Sequence, residues 1–228
     1  MDHLLSPAKL AKYFDHTLLK PDVTERDLKA FCGDCIDYGF AMAAVNPAAV
    51  PICRRYLQGT DVHVGAAVGF PLGQNTIETK QFEAQDAIRK GADEIDYVIN
   101  ITQLKERNYV YIAEEMHAVV DLCREHGRIS KVIFETCCLT DSEKRELCRV
   151  VREVRPDYVK TSTGFGNGGA TGEDIALMLD CVGDETKVKA SGGIRTLDFA
   201  MQLIQMGVSR IGSAYSVTIL EQCRAIHN

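Results

Sequence analysis

Short apolar runs alternate with longer amphipathic segments along the whole chain. Eight of these runs read as strands, at residues 13–17, 41–45, 62–67, 94–99, 131–135, 158–160, 187–190 and 210–212. Several set apolar residues side by side, as in Val132-Ile133-Phe134, rather than alternating them strictly. That pattern suits parallel strands with both faces covered. Helical signals fill the gaps. Leu28, Phe31, Cys32, Cys35 and Ile36 fall at helical spacing within residues 24–38. Thr24 and Asp27 make an imperfect capping box there, and Gly39 is the stop. Further helices are expected over 77–90 ending at Gly91, from Asp141 or Ser142 to about Val154, and over 196–206 ending at Gly207.

No low-complexity run, linker or compositional break divides residues 1–228, so a single domain is expected. Eight strand–helix units leave two architectures, a closed barrel and a doubly wound open sheet. No G-x-G-x-x-G follows the first strand, which weakens the dinucleotide-binding version of the open sheet. The expected fold is α/β, a single-domain (β/α)8 TIM barrel with a short N-terminal helix.

Composition narrows the partners. Apolar residues are 46% and charged residues 25% of the 228, as in an ordinary globular protein. The net charge is −6 and no segment carries a basic stripe, so nucleic acid is not an expected partner. No stretch approaches the roughly 20 apolar residues of a membrane span. The start, MDHLLSPAKL, lacks the apolar core of a secretory signal, so a cytoplasmic location is expected. The nine cysteines are odd in number. Cys32 and Cys35 lie on the apolar stripe of their helix and read as core thiols, and Cys137 and Cys138 are also expected to be buried.

In a barrel, chemistry collects where the strands end. Asp15, Asn46, Asp96, Glu135, Lys160 and Lys189 fall at those ends, with glycine-rich turns at 164–169 and 191–193. The two lysines close neighbouring strands about 4.8 Å apart, so their ammonium groups would crowd each other. A second positive charge about 4 Å away costs about 4 kcal/mol at an effective dielectric near 20. That is enough to bring an amine with an ordinary pKa near 10.4 close to neutrality and ready to attack an aldehyde. Asp96 could balance Lys189 and relay protons through a water. The alternative is that both are separate, carboxylate-paired lysines at the rim. The six histidines include no pair at ligand spacing on one element, so no metal is expected.

Five motifs resemble those of the deoxyribose-phosphate aldolase family: residues 15–21 (DHTLLKP), 69–73 (GFPLG), 91–96 (GADEID), 159–165 (VKTSTGF) and 188–193 (VKASGG). The resemblance runs in order from about Phe14 to Thr218. It implies a β/α barrel that reversibly cleaves 2-deoxyribose 5-phosphate to acetaldehyde and glyceraldehyde 3-phosphate without a cofactor. It implies Lys160 as the Schiff-base lysine, Lys189 as its neighbour, Asp96 as the proton-transfer carboxylate and Asp15 in the polar network. Thr17, Asn46, Glu135, Thr161, Gly164, Gly192, Gly193 and Ser213 are the expected substrate contacts, and a homodimer is the expected assembly.

The chain departs from the family pattern in three places. Ala214 and Tyr215 stand where relatives commonly carry two phosphate-binding serines, Ala44 stands where cysteine is frequent, and the chain ends at His227-Asn228 where many relatives end in Tyr. Two rival readings follow: the same imine chemistry on an unphosphorylated or altered acceptor, and a non-catalytic barrel that binds a phosphorylated metabolite.

Overall fold

In the computed structural model, which describes residues 5–227, eight parallel strands close into one barrel. They are β1 (Phe14–Leu18), β2 (Met42–Val45), β3 (His63–Val68), β4 (Glu94–Val98), β5 (Ile129–Ile133), β6 (Tyr158–Lys160), β7 (Lys187–Ser191) and β8 (Arg210–Ser213). Each pairs with its successor, and β8 closes on β1 through Phe14↔Ile211 and Asp15↔Gly212. The barrel, not the open sheet, is the architecture. A short helix, Pro7–Ala11, precedes β1, with proline in its first turn where the missing N–H goes unused.

The expected helices form with the expected punctuation. Thr24 caps Glu25–Tyr38, and Asp27 completes the capping box despite being an aspartate. Thr140, one residue before the expected start, caps Asp141–Val154 and forms a second box with Glu143. Gly39 (φ 69°) and Gly207 (φ 111°) follow helices in the positive-φ conformation that favours glycine. β5 is the misplaced strand: it ends at Ile133, and Glu135 has already left the sheet with φ 55° and ψ 61°. A non-glycine residue seldom occupies that region, so the ladder cannot continue through it.

Burial sorts the strand residues by parity. Val45, Val64, Ile95, Tyr97, Val132, Val159, Val188 and Ile211 belong to the apolar layer between strands and helices. Alternate positions turn into the barrel and are charged to an unusual degree. Asp15, Glu94, Asp96, Lys131, Lys160 and Lys189 are all buried there, and Arg210 is nearly so. Met42 occupies the interior beside them, where a Cβ on Gly65 would lie 2.3 Å from its sulfur.

A second buried ion pair lies outside the barrel. Lys80 Nζ donates to Glu115 Oε1 at 2.6 Å and to the carbonyls of Gly73 and Val98 at 2.7 Å each. Glu115 Oε2 in turn accepts the Asn100 amide at 2.8 Å. This knot ties the loops after β3 and β4 together.

His16 is a packing residue, stacked 4.7 Å from Phe31 and 5.0 Å from Phe40; burial lowers its pKa to about 4 and keeps it neutral. Cys32 and Cys35 are buried, as their helical spacing requires. Cys137 and Cys138 are exposed, contrary to expectation. They sit in the single turn Thr136–Cys138 just past β5, beyond the covering helices. Among the described residues no helix is long and apolar enough to cross a membrane.

Candidate active site

Lys160 is the last residue of β6 and Lys189 lies directly beside it on β7, as Cα partners in the ladder. Their ammonium groups share one oxygen: Asp96 Oδ2 lies 3.0 Å from Lys160 Nζ and 2.7 Å from Lys189 Nζ. Asp96 Oδ1 is held by Lys131 Nζ at 2.7 Å. Lys189 also contacts Asp15, which accepts from Arg210 Nε at 2.7 Å. Arg210 grips Glu94 through 2.7 Å and 2.9 Å bonds, and Glu94 contacts Lys131 as well. At the far end, half-exposed His63 meets Glu94 at 2.7 Å.

Charge balance singles out Lys160. With every group ionised, the cations Lys131, Lys160, Lys189 and Arg210 face the carboxylates of Asp15, Glu94 and Asp96, four against three. Lys160, at the mouth, has a single ion pair, with Asp96, whereas Lys189 has two and Lys131 three. Burial is the largest influence on Lys160 and lowers its pKa to about 8, with the charges of Lys189 and Lys131 acting the same way and Asp96 opposing. Desolvation thus leads, and repulsion by Lys189 is secondary, the reverse of the weighting expected from strand adjacency. For Asp96, burial alone would raise the pKa, but Lys131, Lys189 and Lys160 hold it well below the usual carboxylate range.

Lys160 opens into a pocket of about 340 Å³. Thr17, Gly164, Gly192, Gly193 and Ser213 line it. The glycines at 164, 192 and 193 all have positive φ, and a Cβ on Gly192 would stand 2.9 Å from Gly169 Cα, so the two turns interlock only as glycine. Asp15 and Asp96 lie deeper, inside the barrel rather than at its rim, because each sits within its strand and not at the end.

Three expected contacts stand away from the pocket. Thr161 follows inward-facing Lys160, so strand alternation turns it outward, and its hydroxyl donates to the Ser191 carbonyl at 3.1 Å. Asn46 donates to the Leu19 carbonyl at 3.2 Å. Glu135, past the end of β5, accepts the Thr163 hydroxyl and, at 3.3 Å, the Thr163 amide. In this structure all three side chains support the loops around the pocket rather than line it. Ser213 lines the pocket, but its hydroxyl donates to the Ile194 carbonyl at 2.7 Å and accepts the Tyr215 amide at 2.9 Å.

Sequence reasoning missed Lys131, Glu94 and Arg210 in the interior and Lys20 and Arg195 at the pocket. A signal for the interior group was present: Glu94-Ile95-Asp96-Tyr97 alternates charged with apolar, as do Lys131-Val132 and Arg210-Ile211. Arg195 lies with its guanidinium carbon 5.2 Å from the centre of the Tyr215 ring, and both residues line the pocket. Lys20, Lys160 and Arg195 line the pocket and no carboxylate does, in a chain whose net charge is −6. Among the described residues no group of three or more His, Cys, Asp or Glu is arranged to hold a metal ion.

A family profile described as DeoC/LacD family aldolase matches residues 9–215, which spans the barrel and every residue of the lysine network. The chain belongs to this aldolase family. It is 50% identical over 216 residues to a deoxyribose-phosphate aldolase of Lactobacillus acidophilus, covering 94% of this chain and 91% of that one. It is also 50% identical to a deoxyribose-phosphate aldolase of Bacteroides thetaiotaomicron, covering 95% and 91%. A solved structure described as a putative deoxyribose-phosphate aldolase from Coccidioides immitis superposes with a TM-score of 0.92 at 36% identity, over 96% of this chain and 87% of that one. As a DeoC/LacD family member the chain is an aldehyde-lyase, and its paired lysines stand in the barrel that such relatives share.

Proposed function

We propose that this aldolase reversibly cleaves 2-deoxy-D-ribose 5-phosphate to acetaldehyde and D-glyceraldehyde 3-phosphate through an imine on Lys160. The observation that carries this reading is a buried amine of lowered pKa opening into a pocket with two further cations and no carboxylate. The names of the relatives support the substrate. The neutral Lys160 amine adds to the aldehyde carbon and water leaves. The protonated imine then accepts the electron pair of the C2–C3 bond as the C3 hydroxyl loses its proton, releasing the phosphorylated aldehyde and an enamine. Protonation of the enamine carbon and hydrolysis release acetaldehyde.

Asp96 links the two lysines through one oxygen and is too weak a base at its low pKa to hold a proton for long. Lys189, on that same oxygen, is the nearest store of a proton for the enamine step, with Asp15 anchoring it from below. Lys20 and Arg195, with the turns at Gly164, Gly192 and Gly193, form the phosphate end. The reading includes self-association as a homodimer and action in the cytoplasm on free sugar phosphates.

Borohydride with acetaldehyde tests the chemistry directly. A single two-carbon adduct mapping to Lys160, with loss of activity, is the expected result. An adduct on Lys189 overturns the choice of nucleophile, and no adduct overturns the imine chemistry.

The neighbouring position favours one refinement. Tyr215 and Ala214 line the phosphate end, and the Ser213 hydroxyl is already engaged within its own turn. The chain should therefore discriminate less for phosphate than a relative with serines at both positions. Ala214→Ser with Tyr215→Ser is expected to raise the ratio of kcat/KM for phosphorylated over unphosphorylated deoxyribose by about 10-fold, less than two full hydrogen bonds to an anion would supply. An unchanged ratio in steady-state assays removes support for relaxed phosphate selectivity.

A further inference from the structure

Cys137 and Cys138 are consecutive and exposed on the catalytic face, outside the reaction proposed above. The Cys137 thiol lies 3.7 Å from Glu135 Oε1. It also sits under the glycine-rich loop. A Cβ on Gly166 would approach its sulfur to 3.1 Å, and a Cβ on Gly168 would approach its Cβ to 2.8 Å. The loop therefore has glycine at these points because Cys137 fills the space beneath it.

We propose that Cys137 and Cys138 form a dithiol site for a thiophilic centre with two exchangeable positions, such as a monosubstituted trivalent arsenical, and that filling it displaces the glycine-rich loop and inhibits the enzyme. The chemistry balances without an oxidant. Each thiol forms one As–S bond, the arsenic–oxygen double bond breaks, and both thiol protons leave with that oxygen as water. Two adjacent sulfurs suit such a centre, whereas a structural zinc site needs four ligands. Although the residue is exposed, the loop partly covers its sulfur, which raises the Cys137 thiol from its ordinary pKa. A backbone hydrogen bond with Gly168 opposes this and the Glu135 charge adds to it, so little thiolate is present for simple alkylation near neutral pH. Closure by the second thiol supplies what reactivity does not, because the first bond holds the centre at high effective concentration beside its neighbour.

The route to the pocket is short. Glu135 holds Thr163 through its hydroxyl and amide, and the Thr163 hydroxyl accepts the Phe165 amide at 3.0 Å. Thr163, Gly164 and Phe165 line the pocket beside Lys160. A group added to the Cys137 sulfur occupies the space under Gly166 and Gly168 and pushes on the same loop.

The probe is phenylarsine oxide, titrated into the intact protein and followed by mass spectrometry and by deoxyribose 5-phosphate cleavage. One equivalent should bind, resist mercaptoethanol and come off with 2,3-dimercaptopropanol. Cys137→Ser and Cys138→Ser should each weaken binding by about 100-fold, the loss expected when a second attachment is removed. Cleavage should fall at least about fivefold in the parent, as displaced positioning residues would cause, and be insensitive to the probe in Cys137→Ser/Cys138→Ser. The inhibitory half rests on the proposed reaction, whereas the mass of the adduct does not. A parent that lacks cleavage activity therefore counts against that reaction and leaves the dithiol site to be judged by mass alone. Equal binding to the double variant overturns the site, and full activity of the loaded parent overturns its coupling to the loop.

Discussion

Lys160→Met is expected to lower kcat for deoxyribose 5-phosphate cleavage by at least about 10⁴-fold while leaving the barrel folded, since removing the nucleophile removes the whole covalent path. The fold should tolerate the change because methionine keeps much of the length of lysine. The interior charges also become even: Lys131, Lys189 and Arg210 then face Asp15, Glu94 and Asp96. Circular dichroism should show an unchanged melting transition. A variant that keeps more than about 1% of the parent's kcat would place the nucleophile elsewhere.

The same lysine sets the pH dependence. With a pKa near 8, roughly one Lys160 in ten carries a free amine at pH 7, against roughly one in three thousand for an ordinary lysine. The imine-forming rate should therefore climb as pH rises through about 8 and level off above it. Lys189→Met should move that limb to higher pH, because a charge opposing ionisation of Lys160 is lost. The limb should not return to the ordinary lysine range, because burial is the leading cause and remains in the variant. A pH–rate profile identical to the parent's would show that the two ammonium groups do not influence each other.

Lys80→Met carries the largest expected effect on stability. Both side chains of the Lys80–Glu115 pair are fully buried, and Glu115 would be left with the Asn100 amide as its hydrogen-bond donor. Removing one partner of such a pair costs about 3–5 kcal/mol, because the other charge stays buried without compensation. For a domain of this size that lowers Tm by roughly 6–20 °C. The carbonyls of Gly73 and Val98 lose their donor as well. Lys80→Met with Glu115→Leu should recover part of the loss, since the stranded carboxylate is then gone too. Calorimetry that finds the single variant within about 0.5 kcal/mol of the parent would show that solvent reaches this pair after all.

Local chemistry determined much of the molecule from the sequence alone. The eight strands, the capped helices at Thr24 and Thr196 and the glycine stops at Gly39 and Gly207 depend on side-chain patterning and backbone freedom within a few residues. The lysine pair was legible for the same reason, because parallel register follows from strand order and brings Lys160 beside Lys189. What a residue faces was harder to read. Thr161 differs from Lys160 by one position, yet that single step turns it out of the barrel, and Glu135 missed the sheet because its backbone adopts a left-handed conformation that no neighbouring residue signals.

Only closure of the barrel decided the rest. Lys189 and Asp96, on β7 and β4, are 93 residues apart, and Arg210 and Asp15, on β8 and β1, are 195 apart. Each pair meets because the ring brings distant strands onto one axis. The pKa of Lys160 likewise depends first on burial, which no local window contains. Sequence determines which charges are present and on which strand they ride. The closed ring decides which of them share an oxygen, how much water each retains, and so which lysine is left with the fewest partners at the mouth.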